Sequence, residues 1–194
     1  MENIVRIQEI QLEDFKNVEY GKVFFNSYKD GSIYSDSYKA DILGLYGQNG
    51  SGKTSMVESI DILKVILSGE KLDKNVKYLL SYNTHASAFR FKFTIQIDDS
   101  KYMVYYNFKL RYSDKNEKVE IYEEILKYAD INIEDRKISS AKSIIDFKMD
   151  EESTNIFTPI SNYNLVKKLN EDVKTDLIVY KKLAKEIGRA HVWT

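Results

Sequence analysis

Residues 47–54, Gly47-Gln48-Asn49-Gly50-Ser51-Gly52-Lys53-Thr54, hold three of the chain's eight glycines and then a lysine and a hydroxyl. Glycine costs backbone entropy, so this density marks a backbone that must adopt conformations a Cβ forbids. Upstream, residues 42–46 form a short apolar run bounded by glycine, consistent with a buried strand. Downstream, Met56, Ile60, Leu63 and Leu67 recur at helical spacing, an amphipathic helix that Ser68-Gly69 can end. Strand, glycine turn and helix in immediate succession admit few folds.

The pattern G-x-x-x-x-G-K-[ST] is the phosphate-binding P-loop. Its glycines let successive backbone N–H groups turn inward as a nest for phosphate oxygens, and the following helix adds its positive end. Lys53 would reach the β and γ phosphates, and the Thr54 hydroxyl would hold Mg²⁺. The expected nucleotide-binding set is therefore Gly47, Gln48, Asn49, Gly50, Ser51, Gly52, Lys53, Thr54 and Ser55, with Thr54 as the metal ligand and ATP and Mg²⁺ as cofactors.

Around this loop the chain reads mostly as strands. Residues 4–12 and Val23-Phe24-Phe25 are two candidates separated by a turn-like "EDFKNVEYG", and residues 26–41 read as a polar loop. In residues 88–97, Phe89, Phe91, Phe93, Ile95 and Ile97 alternate with Arg90, Lys92, Thr94 and Gln96. After "DDS", Tyr102, Val104, Tyr106, Phe108, Leu110 and Tyr112 alternate again, which predicts an antiparallel hairpin. Residues 118–128 add a third strand. Because aromatics fall on one face and cations on the other, the pattern favours a core-facing sheet over a nucleic-acid platform. From 162 to 187 a lysine-rich amphipathic helix is expected, as a lid, an arm or a dimer contact.

A net charge of -1 gives no global pull toward nucleic acid or anionic membrane. The charged N-terminus is not a signal peptide and no apolar run reaches spanning length, so the expectation is a cytoplasmic chain without membrane. Cysteine is absent, which excludes disulfides and thiolate metal sites. His85 and His191 stand alone and read as solvated or hydrogen-bonded side chains.

"QNGSGKT" resembles the G-x-N-G-x-G-K-[ST] loop of ABC-type ATPases of the RecF, SMC and OLD groups. Upstream, Leu12-Glu13-Asp14-Phe15-Lys16-Asn17 is similar to their L-x-N-F-[RK]-[NS] strand end, with Asp14 in place of Asn. The resemblance covers about residues 3–128. It implies an α/β P-loop NTPase, the N-terminal half of an ABC-type ATPase head (residues 1–128), with an antiparallel β subdomain at about 88–128 and a C-terminal helix within 129–187. It also makes Lys16 a candidate beside the nucleotide.

Hydrolysis in such proteins needs a Walker B strand and an L-S-x-G-[QE] signature. "LSGE" (67–70) is a residue short and ends the loop's helix, "SIIDFKMDEE" (143–152) has too few apolar residues, and "VEIYEE" (119–124) alternates, leaving Glu123 and Glu124 as strand-end charges. No catalytic residue is therefore assigned. The tail "EIGRAHVWT" is odd in composition, and codons for 187–192 can spell a sequencing adapter, so 186–194 is expected to be an artefact ending a longer gene.

By resemblance, the full protein would be an ATPase acting in DNA repair or antiphage defence, as a head-to-tail homodimer with DNA and a partner nuclease. The alternative is a short non-hydrolysing nucleotide- or nucleic-acid-binding module.

Overall fold

The computed structural model describes residues 4–25, 43–68, 70–81, 83 and 86–148. The expected loop 26–41, the helix within 162–187, His85, His191 and the tail 186–194 lie outside the described residues.

The elements are β1 (Ile4–Phe15), β2 (Val18–Phe24), α1 (Lys53–Ser68), a short 3-10 helix (Lys74–Tyr78), β3 (Ala86–Ile97), β4 (Ser100–Ser113), β5 (Lys118–Asn132), β6 (Lys137–Ile138) and β7 (Lys142–Lys148). Seven strands form one sheet in the order β2-β1-β3-β4-β5-β6, with β7 also on β5. Every pairing is antiparallel.

The alternation from 88 to 112 forms the expected hairpin. Phe89, Phe91 and Phe93 stand opposite Phe108, Tyr106 and Val104, all buried, and the chain reverses over Asp98-Asp99. The Phe89 and Phe108 rings stack with centroids 4.9 Å apart, and Phe15 meets Phe89 edge-on at 5.0 Å. Onto this face α1 lays Met56, Ile62, Leu63, Ile66 and Leu67, which join the sheet in one cluster. The expected stripe is corrected at one position. Ile60 is only partly buried, and Ile62 and Ile66 are buried as well, because the contact covers a wider arc than one row of side chains.

Three other expectations are revised. The first turn is only Lys16-Asn17: Phe15 pairs with Val18, so β1 and β2 run several residues further than expected. Residues 43–48 form no strand. Leu43, Leu45 and Tyr46 are exposed, Tyr46 by 94%, because no described strand lies beside them to pair their backbone or cover their side chains. Glu123 and Glu124 are not strand-end charges. The β4–β5 register slips between Lys109/Glu123 and Leu110/Ile121, so Tyr122 is an extra residue that resets the alternation. Glu124 therefore turns inward beside Ile121 and Leu126, 1% exposed, and accepts a 2.6 Å hydrogen bond from the Tyr106 hydroxyl.

On the opposite face, cations meet carboxylates from neighbouring strands. Glu9 lies between Lys22 (2.9 Å) and Lys92 (3.2 Å), Arg90 grips Glu13 with both nitrogens (2.5 and 3.0 Å), and Lys109 meets Glu123 at 2.8 Å. Burial alone would raise the Glu9 carboxyl, but the bonds and charges of Lys22 and Lys92 outweigh it and hold it below the usual 4.5. The hydrogen bond from Arg90 lowers Glu13 likewise, against a smaller opposing effect of burial. A carboxyl depressed in the folded state stabilises above its unfolded value, and that contribution is lost as pH falls through the folded value. Acid should therefore lower the urea midpoint from about pH 5 downward, with a shallower fall in Glu9→Gln than in the wild type. Equal slopes in the two would show that Glu9 does not contribute to acid lability.

Candidate functional site

The loop of residues 47–52 leads directly into α1, whose first N–H groups have no acceptor within the helix. Gly50 and Gly52 both take φ of +84°, the left-handed conformation that glycine enters without penalty. A Cβ on Gly52 would also lie 2.6 Å from Val18 Cγ2, so β2 forms the floor of the loop. The Ser51 N–H reaches the Gln48 carbonyl at 3.3 Å, closing a four-residue turn with Gly50 third, where a positive φ is needed in a type II turn. At the next step the Met56 N–H donates to the Gly52 carbonyl at 3.2 Å and begins the helical ladder.

Lys53 folds back into this loop. Its Nζ donates to the carbonyls of Gly47 (2.8 Å) and Gln48 (2.7 Å) and lies 3.3 Å from Ser51 Oγ. A cation thus sits where the loop's backbone curves around it, held among the described residues by two carbonyls and a hydroxyl, all neutral. An anion can exchange with them for a stronger, charge-assisted bond. Thr54 stands exposed in the first turn of α1, whereas Ser55, also expected at the nucleotide, is 1% exposed and directed to the turn below. Gln48 and Asn49 are exposed on the loop.

That turn is the "FKN" segment. Asp14 and Lys16 take φ of 53° and 56°, a region where Asp and Asn are the least disfavoured side-chain-bearing residues. This explains physically how Asp14 can stand where the L-x-N-F-[RK]-[NS] pattern has Asn. The distorted backbone is braced: Ser87 Oγ donates to the Asp14 carbonyl at 2.5 Å, and the Lys16 N–H donates to the Leu79 carbonyl at 2.8 Å. The Lys16 ammonium is 2.6 Å from Glu58 Oε2 on α1, so in this structure it contacts the helix and not the loop. Asn17, which the sequence reading passed over, reaches the loop itself: its Nδ2 donates to the Gly50 carbonyl at 2.5 Å, and Ser55 Oγ donates to its Oδ1 at 3.3 Å. The signal was present as an asparagine at a tight turn, but nothing in one dimension says that the turn lies under the P-loop.

A glycine-rich loop with positive-φ glycines, a lysine folded back into it and a helix starting directly after it is the arrangement of a P-loop nucleotide-binding protein. The chain belongs to the family described as "AAA domain, putative AbiEii toxin, Type IV TA system", which matches residues 42–189 and is a family of P-loop ATPases. No curated protein matches the chain. Among the described residues, no helix is long and apolar enough to cross a membrane.

Proposed function

We propose that this chain binds Mg-ATP at residues 47–55 as the N-terminal portion of an OLD/RecF-like, ABC-type ATPase head. The observation that carries the reading is Lys53 seated among the carbonyls of Gly47 and Gln48, with Gly50 and Gly52 in left-handed conformations around it. The donor set fits the cofactor: backbone N–H groups and an ammonium for phosphate oxygens, and a hydroxyl at Thr54 for Mg²⁺. Bound there, the metal would neutralise phosphate charge, while Lys53 and the loop amides would bind and orient the β and γ phosphates.

Turnover requires a carboxylate to position water and a signature segment from a second head, which the resemblance places downstream of these residues. The full protein would work as a head-to-tail dimer. The family description includes "putative AbiEii toxin, Type IV TA system", which favours a defence setting over DNA repair; by the resemblance, the partner would be DNA or a nuclease. The pairing of outer-face cations with Glu9, Glu13 and Glu123 weighs against the alternative of a nucleic-acid platform on the hairpin.

Magnesium dependence tests the site. Adding Mg²⁺ should enlarge the melting-temperature shift that ATP gives the wild type. In Thr54→Ala that increment should vanish, with Mg-ATP affinity down about tenfold for one lost charge-assisted contact. An undiminished magnesium increment in Thr54→Ala would remove Thr54 from the metal site.

A further inference from the structure

We propose that Asn17 is a positioning residue for nucleotide binding, holding the Gly50–Ser51 peptide so that its N–H faces the phosphate hollow. The inference rests on the Mg-ATP reading above. A trans peptide plane fixes its N–H opposite its C=O. The Asn17 Nδ2 bond to the Gly50 carbonyl therefore also sets the direction of the Ser51 N–H. That N–H points to the Gln48 side of the loop, where its 3.3 Å bond is long and easily exchanged for a phosphate oxygen. Gly50, at φ of +84°, has no Cβ to resist a flip of this peptide from its side. The side chain of Asn17 supplies the restraint that the glycine gives up.

The carboxamide is itself oriented. Ser55 is buried and its hydroxyl donates to Oδ1, which leaves Nδ2 for the Gly50 carbonyl. The turn carrying Asn17 stands on other supports: buried Phe15, the Lys16 N–H bond to Leu79, and Ser87 on the Asp14 carbonyl. Asn17 is exposed, so its side chain holds the loop without holding up the fold. The loop thus has two unlike halves. Residues 50–55 are fixed to β2 and the turn through Asn17 and Val18, while 47–48 are held by Lys53, the group that phosphate engages. Nucleotide entry need rearrange only the first half.

The test uses the 194-residue chain, with Mg-ATP as the probe, in the wild type, Asn17→Ala and Asn17→Asp. Both variants should melt within a few degrees of the wild type without ligand, as exposed substitutions do. Both should bind Mg-ATP about three- to tenfold more weakly. Asn17→Asp adds a readout that a space-filling role would not move. Ionised, the introduced carboxyl has no donor for the Gly50 carbonyl; protonated, it has one. Its affinity deficit against the wild type should therefore narrow from pH 7 to pH 4, as the carboxyl approaches its ordinary value of about 3.9. If the wild type binds and both variants bind equally well, the positioning role is wrong while the nucleotide reading stands. If the wild type does not bind, both fall together. Should Asn17→Ala also melt early, the pH series decides: a narrowing deficit supports the role, and a constant one overturns it.

Discussion

Lys53→Ala should abolish most of the stabilisation that Mg-ATP gives the chain, with affinity falling about 10- to 150-fold. The range follows from losing one charge-assisted contact to phosphate, worth about 1.5–3 kcal/mol, at 1.4 kcal/mol per tenfold. With ligand at a hundred times the wild-type Kd, stabilisation is about 2.7 kcal/mol; a hundredfold weaker variant retains about 0.4 kcal/mol. For a chain of this length that turns a shift of about 5–11 °C into one of about 1–2 °C. The ligand-free protein should be nearly unaffected, because among the described residues the Lys53 ammonium bonds to its own loop, at Gly47, Gln48 and Ser51. Lys53→Arg should not rescue, since a planar guanidinium cannot fill a hollow shaped for a compact ammonium. An ATP shift in Lys53→Ala equal to that of the wild type would overturn the assignment of residues 47–54.

Features whose physics is local could be read in the sequence. Alternation in 88–112 compels a strand pair because a period of two places Phe89, Phe91 and Phe93 on one face whatever surrounds them. The loop could be read for a similar reason, since few other roles require its glycines and lysine at that spacing. Properties set by distant neighbours could not. Residues 43–46 are apolar enough for a buried strand, yet burial depends on what lies beside them, and no described strand does. Glu124 counts as an outward position until the bulge at Tyr122 shifts the register, and a bulge leaves no period of its own. Ile60 loses its place at the centre of the stripe because α1 meets a sheet wide enough to cover Ile62 and Ile66 as well. Asn17 belongs with these. Its partners Gly50 and Ser55 lie 33 and 38 residues away, and only the docking of β2 against α1 brings them together.

The docking itself depends on the aromatic cluster, so Phe89→Ala should be the most damaging core substitution for fold and site together. Phe89 is fully buried between Phe15 and Phe108, with ring centroids at 5.0 and 4.9 Å. Truncating such a ring costs about 3–5 kcal/mol through lost transfer energy and the cavity left behind. Edge and stacking contacts add about 0.5–1.5 kcal/mol each to what burial alone contributes. Against a total stability of about 5–15 kcal/mol this is a large fraction, expected as a melting-temperature drop of about 6–20 °C. Phe89→Leu, which keeps much of the volume, should cost far less, at about 1–2 kcal/mol. The consequence for the site runs through Phe15. Its ring rests on Phe89, and its backbone leads into the Lys16-Asn17 turn that holds the Gly50 carbonyl. Removing the support should let the turn move before the sheet unfolds, so Phe89→Ala should bind Mg-ATP more weakly at temperatures where it is still folded. Urea titrations with and without Mg-ATP measure both effects. A loss below about 1.5 kcal/mol would show that α1 and the β1–β3–β4 face do not form one continuous core. Unchanged affinity in a clearly destabilised variant would show that the turn holds the loop without help from the aromatics beneath it.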